Sequence, residues 1–237
     1  MPKVIFNIAT IQSRKKLFIE VLKRLSQQFV PCDHINVALS YDAPDREVEE
    51  NILQRFKSGT FIYGKFPAAK KMFAIDSTDP DTIFLTFDDD IAYPRDYSQD
   101  IIKHINKNRD AVIGYHGMAF NFFPVVDYYK QRAIYQYFET IREPVSVHII
   151  GTGICGFYTA TLKEKGFTYS WFDQYPQHGN YNDSIFSLFL RLHKIPMVVV
   201  PHYGGWTYSY PGSQDETALW KQAKKDFNKT DLIFLQQ

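Results

Sequence analysis

The stretch that decides the fold is Thr82-Ile-Phe-Leu-Thr-Phe-Asp-Asp-Asp-Ile91, an apolar run that ends in three adjacent carboxylates. Such a strand is buried most easily in a parallel sheet, and ligands of open α/β sheets bind at the carboxyl ends of the strands. Alternate side chains of an extended chain share a face, so Asp88 and Asp90 are expected to point together. Because two converging carboxylates repel each other, the pattern predicts a hard divalent cation, Mg²⁺ or Mn²⁺, between them. The alternative is a solvated acidic turn closed by Pro94.

The composition excludes several classes of protein. The 237 residues are enough for one large α/β domain over 1–237. The 27 Lys and Arg residues balance 26 Asp and Glu, so we expect no nucleic-acid partner. Cys32 and Cys155 lie in apolar contexts without metal-binding spacing, which indicates buried thiols in a reducing compartment. Without a signal-peptide pattern or an apolar run of about eighteen residues, we expect a cytoplasmic protein with no transmembrane segment.

Strands and helices alternate through residue 117, which predicts an α/β fold with a doubly wound, mainly parallel sheet and helices on both faces. Hydrophobic periodicity and turn residues place the elements along the chain. Strands are predicted at 4–10, 35–40, 61–63, 82–91, 111–115, 145–150 and 197–200, and helices at 17–28 after Ser13 as a cap, 48–56 closed by Gly59, 66–77, 97–107 and 184–193. Residues 157–163 are predicted as a strand or a strand–helix junction, 118–145 as an irregular or partly helical aromatic excursion, and 218–227 as a basic helix.

A series of motifs carries a resemblance to a known family. Its members are Ile8-Ala-Thr-Ile-Gln-Ser-Arg14, Leu22-Lys-Arg-Leu-Ser-Gln-Gln28, the strand closing at Asp42, Phe87-Asp-Asp-Asp-Ile91, Gly151-Thr-Gly-Ile-Cys-Gly156 and Tyr181-Asn-Asp-Ser184. The order resembles the glycosyltransferase-A fold, most closely the inverting family 2 type of nucleotide-sugar transferase. The resemblance covers roughly residues 3–205 and implies a single-domain fold.

The resemblance implies roles for particular residues. It implies that Asp88 and Asp90 hold the metal, that Asp89 belongs to the nucleotide-sugar site, and that Thr10 and Asp42 line the nucleoside pocket. Residues 1–117 then form the nucleotide-sugar-binding half and 118–237 the acceptor-binding half.

On the acceptor side, Asp183 matches the general base. Asn182 departs from the family, which usually has a second acidic residue there. The alternative role for Asp183 is a helix cap, and Asp173 is the reserve candidate for the base.

Three further residues are candidates with open alternatives. His202 follows a buried strand, where it could complete the metal site or simply be a loop residue. Lys70 and Lys71 could contact the nucleotide diphosphate, whose charge grows as it leaves, or could form a solvated helix face.

We therefore expect a metal-dependent glycosyltransferase that moves a sugar from a nucleotide-diphosphate donor, with UDP-sugars as the leading expectation, to a hydroxyl of a glycan or a lipid-linked acceptor. The aromatic segment Phe120 to Tyr137, including Tyr128 and Tyr129, is expected to shape the acceptor cleft. A basic helix carrying Lys221, Lys224, Lys225 and Lys229 could touch the inner face of a membrane, although a solvated face is the alternative.

Other functions remain open at this stage. A sugar-phosphate nucleotidyltransferase shares the architecture but normally has a glycine-rich loop after its first strand, and residues 8–14 contain no glycine. A haloacid-dehalogenase-type phosphatase would need its Asp-x-Asp motif near the N-terminus. A catalytically silent glycan-binding protein of the same fold is the alternative outside enzymes. Gly151 to Gly156 matches the dinucleotide fingerprint formally, but it lacks the expected βαβ context.

Overall fold

A computed structural model describes residues 2–65, 68–128, 130–175 and 181–211. The strands are β1 Lys3–Ile11, β2 His34–Ser40, β3 Gly59–Tyr63, β4 Thr82–Asp88, β5 Ile91–Ala92, β6 Val112–Gly114, β7 Gly117–Phe120, β8 Arg132–Tyr135, β9 Val145–Ser146, β10 Ile149–Ile150, β11 Ile154–Tyr158, β12 Met197–Val199 and β13 Tyr208–Ser209. The α-helices are α1 Lys15–Leu25, α2 Arg46–Leu53, α3 Tyr97–Lys107, α4 Thr159–Lys163 and α5 Asn182–Leu192. Short 3₁₀ turns cover Gln12–Arg14, Ala68–Met72, Ile75–Ser77 and Tyr169–Gln174.

Eight strands form the central sheet in the order β3-β2-β1-β4-β11-β6-β12-β9. The first four run parallel to one another, as do β6 and β12, whereas β11 and the edge strand β9 run antiparallel to their neighbours. The parallel register pairs Ala9 with Asp88 and Ile11 with Ser40. The carboxyl ends of β1, β2 and β4 therefore meet at one edge of the sheet.

Helices cover both faces of this sheet. The side chains of the central strands point alternately to one face and to the other, and those on both faces pack against helices. On β4, Ile83, Leu85 and Phe87 pack into a core cluster with α1, α2 and α3. Phe84 points the other way, into a second cluster with α4 and α5. The predicted α/β class and mainly parallel sheet are therefore confirmed, and the central strands are apolar on both sides because both sides are buried.

The predicted division at residue 117 falls inside the sheet. Strand β6 precedes it in sequence but lies between β11 and β12, which follow it. The two proposed halves thus share one continuous set of backbone hydrogen bonds.

The most regular elements match their predictions, and α3 has the predicted bounds. Other predictions were wrong in detail. Residues 68–77 form two 3₁₀ turns instead of a helix, Gly59 begins β3, and Ser13 does not cap α1. The cap of α2 is Asp45, whose Oδ1 accepts a hydrogen bond from the Val48 amide at 3.3 Å.

The region 118–150 differs most from expectation. The predicted irregular excursion contains a hairpin of β7 and β8, and β10 pairs with β7 to complete a small antiparallel sheet. The predicted strand 145–150 divides into β9 in the large sheet and β10 in the small one. Periodicity could not show this, because such short strands are defined by their partners rather than by their own sequence pattern.

Two predictions cannot be compared directly with the structure. The basic helix at 218–227 lies outside the described residues, and the membrane contact assigned to it remains a prediction. Within the described part of the chain, no helix combines the length and apolarity needed to cross a membrane.

Cys32 and Cys155 are buried free thiols, as predicted.

Phe87 gives a test of the first core cluster. Its fully buried ring lies 4.8 Å from Phe6 and 4.9 Å from Tyr93 between centroids. We expect Phe87→Ala to lower the free energy of unfolding by about 3–5 kcal/mol, measured by urea denaturation, because it removes buried contacts and leaves a cavity. Phe29→Ala is the control: this ring is 59% exposed, and the expected loss is below about 1 kcal/mol. Equal losses in both variants would contradict this packing.

Candidate functional site

The three aspartates occupy the carboxyl end of β4, near the middle of the sheet. The strand ends at Asp88, and Asp89 and Asp90 lie in the turn that leads to β5. The side chain of Asp88 is 42% exposed, whereas those of Asp89 and Asp90 are 8% and 11% exposed. The expected alternation through Asp90 was wrong, because the chain leaves the extended conformation after Asp88. Each carboxylate therefore has its own surroundings.

Asp89 is held by the end of β1 and the turn that follows it. Its Oδ2 accepts a hydrogen bond from Thr10 Oγ1 at 2.6 Å, and its Oδ1 accepts one from Arg14 Nη1 at 2.9 Å. Burial raises the pKa of Asp89, although Arg14 and Thr10 oppose the shift. Both carboxylate oxygens thus bind protein groups, and the predicted contacts of Thr10 and Asp89 with a nucleotide sugar remain predictions.

Asp90 is buried beside two other carboxylates. Burial, followed by the charges of Asp88 and Asp89, raises its pKa to about 7, although Arg14 and Lys71 oppose the shift. Arg14 Nη1 lies 3.3 Å from Asp90 Oδ2 and serves Asp89 at the same time. Arg14 is thus shared between two buried carboxylates.

Asp88 pairs with a buried lysine. The ammonium of Lys71, whose side chain is 3% exposed, contacts Asp88 Oδ1. Although burial opposes it, the Asp88 charge raises the pKa of Lys71, and Asp183 adds to the effect. Lys71 is therefore a buried cation paired with Asp88, and its predicted position on a solvated helix face is excluded.

The glycine loop between β10 and β11 packs directly on Asp88. A Cβ at Gly153 would lie 1.8 Å from Asp88 Oδ2, so only glycine leaves room for the carboxylate. The Tyr93 hydroxyl joins the two segments, since it accepts a hydrogen bond from the Asp88 amide and donates one to the Gly153 carbonyl at 2.7 Å. The loop thereby fixes the position of Asp88.

The same loop binds Asp183. Helix α5 begins at Asn182 with Tyr181 at its N-cap position, so Asp183 lies inside the first turn and does not cap the helix. Its Oδ1 accepts hydrogen bonds from the Thr152 amide at 2.8 Å and from Thr152 Oγ1 at 2.6 Å. Adjacent loop residues therefore contact Asp88 and Asp183, and the two carboxylates act on the same Lys71 ammonium.

His116, which the sequence did not single out, lies beside this pair. Its Nδ1 is 3.1 Å from the Tyr135 carbonyl, and its ring fills the space next to Gly151. Burial lowers the pKa of His116, although Asp183 and Asp88 oppose the shift. A neutral imidazole that donates from Nδ1 keeps a hydrogen-bond acceptor at Nε2.

The remaining candidates are placed apart from the aspartates or bind elsewhere. Asp42 is exposed in the loop after β2, and Asp173 is exposed in the 3₁₀ turn Tyr169–Gln174. The Lys70 ammonium lies 4.1 Å from the centre of the Tyr169 ring. The His202 ring is buried, with Nδ1 2.8 Å from the Val200 carbonyl and Nε2 3.1 Å from the Gln136 carbonyl. Metal binding by His202 would require one of these contacts to break, and it remains a prediction.

Within the predicted acceptor segment, Tyr128 is half-buried on the small sheet. Its hydroxyl lies 3.3 Å from Met118 Sδ, and the Arg132 guanidinium is 4.2 Å from the centre of its ring. Tyr129 lies outside the described residues. The role of the segment in acceptor binding remains a prediction.

The carboxylates fit a divalent cation of one particular kind. Among residues 2–65, 68–128, 130–175 and 181–211, no group of three or more His, Cys, Asp and Glu is arranged to hold a metal. Asp88 and Asp90 could each supply an oxygen ligand, and a bound cation would offset the effects of burial and of the neighbouring carboxylates that raise the pKa of Asp90. Mg²⁺ commonly binds one or two carboxylates together with substrate phosphates and water. The donor set therefore fits an ion that arrives with a diphosphate.

The fold is shared with solved glycosyltransferases. The crystal structure of S. aureus TarS matches 97% of this chain with a TM-score of 0.59 at 14% identity. The crystal structure of GalNAc-T7 with UDP, GalNAc and Mn²⁺ matches 90% of it with a TM-score of 0.61 at 8% identity. Both have the glycosyltransferase-A fold, which is therefore the fold of this chain. The chain spans 41% and 45% of those two proteins.

No protein-family model matches the sequence, and no curated protein matches it by sequence. The likeness is therefore one of architecture, and it confirms the fold predicted from the motif series.

The pKa of Asp90 predicts how stability depends on pH in metal-free protein. Because folding raises this pKa to about 7, the folded state binds the proton more tightly than the unfolded chain. The resulting stability is fully present below the unfolded pKa and is lost as the pH rises through about 7. We expect the urea midpoint in EDTA to fall between about pH 5 and about pH 8, and Asp90→Asn to reduce that fall.

Asp79→Asn is the control, because the Asp79 side chain is 74% exposed and pairs only weakly with Lys3 at 3.7 Å. An unchanged pH slope in Asp90→Asn would contradict the assigned surroundings of Asp90.

Proposed function

We propose that this protein is a metal-dependent glycosyltransferase that moves a sugar from a nucleotide-diphosphate donor to an acceptor hydroxyl with inversion. The observation that carries the proposal is the approach of Asp88 and Asp183 to the two sides of one loop, on a glycosyltransferase-A fold. A single displacement requires an aspartate pair on the donor side and a separate carboxylate on the acceptor side. GalNAc-T7, which shares the fold, is described with UDP, GalNAc and Mn²⁺, and this supports a UDP-sugar as donor.

On the donor side, the proposed ligands of the divalent cation are Asp88 and Asp90, with Mn²⁺ or Mg²⁺ as the ion. When bound, the ion would neutralise the charge that develops on the leaving diphosphate. Before the ion binds, Arg14 and Lys71 hold the aspartates in place, since each donates to at least one of them. Thr10 fixes the third carboxylate, Asp89, and so holds the end of β4 against β1.

On the acceptor side, we assign Asp183 as the general base. Its described hydrogen bonds both go to Oδ1, so Oδ2 is the atom proposed to take the acceptor proton. Asp183 lies within the first turn of α5, at the positive end of the helix dipole. The Thr152 hydroxyl and amide orient the carboxylate and keep it in one rotamer. Residues 1–117 and 118–237 are proposed to supply the donor and acceptor sides, with a glycan or lipid-linked saccharide as acceptor.

Nucleotide binding tests the donor site. We expect titration calorimetry to show tight binding of one of UDP, GDP and CDP in the presence of Mn²⁺, and at least about tenfold weaker binding in EDTA. Asp90→Asn should remove the effect of Mn²⁺, because it removes an ionised ligand. Asp79→Asn is a matched charge-neutralising control and should bind as the natural protein does. Failure of all three nucleotides to bind with Mn²⁺ would sink the donor site and favour a glycan-binding role.

The base assignment is tested by release of the nucleotide from the corresponding sugar nucleotide. We expect Asp183→Asn to lower kcat by a factor of about 10²–10⁴, because a positioned base contributes that much. The Kd for nucleotide with Mn²⁺ should change less than about twofold, since the carboxylate lies on the acceptor side. Asp173→Asn is the informative counterpart: if it loses turnover while Asp183→Asn keeps it, Asp173 is the base.

A further inference from the structure

Lys71 is an unusual group to find under a metal-binding pair. Its side chain is 3% exposed, and its ammonium contacts Oδ1 of Asp88, a residue that the proposed function assigns to a divalent cation. A buried ammonium needs a charged or hydrogen-bonded partner, because losing its hydration is costly. Lys71 is therefore part of the charge balance at this site.

The charges around the aspartates divide between two cations. Arg14 serves Asp89 and Asp90, and Lys71 serves Asp88. A divalent ion bound by Asp88 and Asp90 would place two further positive charges next to the Lys71 ammonium, and like charges at contact distance repel. Lys71 and the divalent ion cannot both keep their full interaction with Asp88 unless an anion also binds there.

The space around Asp88 restricts how this conflict can be resolved. The carboxylate already packs closely on the glycine loop, since a Cβ at Gly153 would lie 1.8 Å from Oδ2. The backbone of Asp88 is fixed by Tyr93, whose hydroxyl accepts from its amide at 2.8 Å. Lys71 lies on a one-turn 3₁₀ segment, Ala68–Met72, with a long unbranched side chain. The lysine is thus the partner that can turn.

We infer that Lys71 competes with the divalent cation for Asp88, and that it turns to the donor diphosphate when ion and nucleotide bind together. This inference rests on the proposed function and adds a binding order to it. The ion alone binds weakly because Lys71 holds Asp88. Ion and diphosphate together bind tightly, because the diphosphate offers the displaced ammonium a new anionic partner.

Removal of the lysine charge tests the inference, because it has opposite effects on the two ligands. We expect Lys71→Met to bind Mn²⁺ alone about tenfold more tightly than the natural protein, and UDP in saturating Mn²⁺ about fivefold more weakly. Free Mn²⁺ is measured by electron paramagnetic resonance without nucleotide, and UDP binding is measured by calorimetry in saturating Mn²⁺. The mutual enhancement between Mn²⁺ and UDP should fall accordingly. If GDP or CDP is the preferred nucleotide, it replaces UDP.

Lys163→Met is the matched control, since it removes the same charge from an ammonium that binds the carbonyls of Asp76 and Thr78. It should leave both affinities unchanged. Lys71→Gln is the second variant: it keeps one hydrogen-bond donor for Asp88 without the charge, and it should shift both affinities in the same directions. Thermal unfolding and near-ultraviolet circular dichroism establish that each variant is folded.

The inference is overturned if a folded Lys71 variant binds Mn²⁺ no more tightly than the natural protein. Its failure is distinguishable from failure of the proposed function. If only the inference fails, the natural protein still binds nucleotide in the presence of Mn²⁺. If the proposed function fails, the natural protein binds no nucleotide in the presence of Mn²⁺, whatever the Mn²⁺ affinity of the Lys71 variants.

Discussion

The structure depends on how three adjacent carboxylates are accommodated at the end of a strand that is buried on both faces. Strand β4 lies between β1 and β11, and its apolar side chains fill both core clusters, so its position is fixed by hydrophobic burial. That burial places Asp89 and Asp90 where water cannot solvate them well. The cost is offset by Arg14 and Lys71, each drawn from a segment that reaches the same edge of the sheet. The two cations are thus part of the fold as well as of the site.

The antiparallel direction of β11 brings a further loop to the three aspartates. Because β11 runs antiparallel to β4, the loop that precedes it lies at the carboxyl end of β4. Gly153 then fits against Asp88, while Thr152 turns toward α5 and orients Asp183. A sheet that stayed parallel throughout would place that loop at the opposite edge. The antiparallel strand is therefore the feature that brings Asp88 and Asp183 to one loop.

Several parts of the site were readable from the sequence because their chemistry is local. An apolar run ending in acidic residues indicates a strand that delivers them to the sheet edge, and Asp183 near the start of an amphipathic stretch indicates a helix N-terminus. The direction of each carboxylate could not be predicted from the sequence, because it depends on the residue at which the strand ends and the turn begins. His116 and Thr152 carried no signal of their own: a single histidine or threonine becomes part of a site only through the residues that pack against it. Arg14 was quoted within a motif, but its two partners lie about seventy-five positions away.

The sequence by itself determined the class of fold, the order of the main elements and the acidic end of β4, because hydrophobic periodicity and turn chemistry act over a few neighbouring residues. Only the tertiary structure decided which groups meet. It paired Lys71 with Asp88, gave Asp89 to Thr10 and Arg14, and joined Asp183 to Thr152. It also set His202 against two backbone carbonyls. Such pairings depend on strand order, strand direction and the volume left by a glycine, and these are properties of the packed chain rather than of any segment within it.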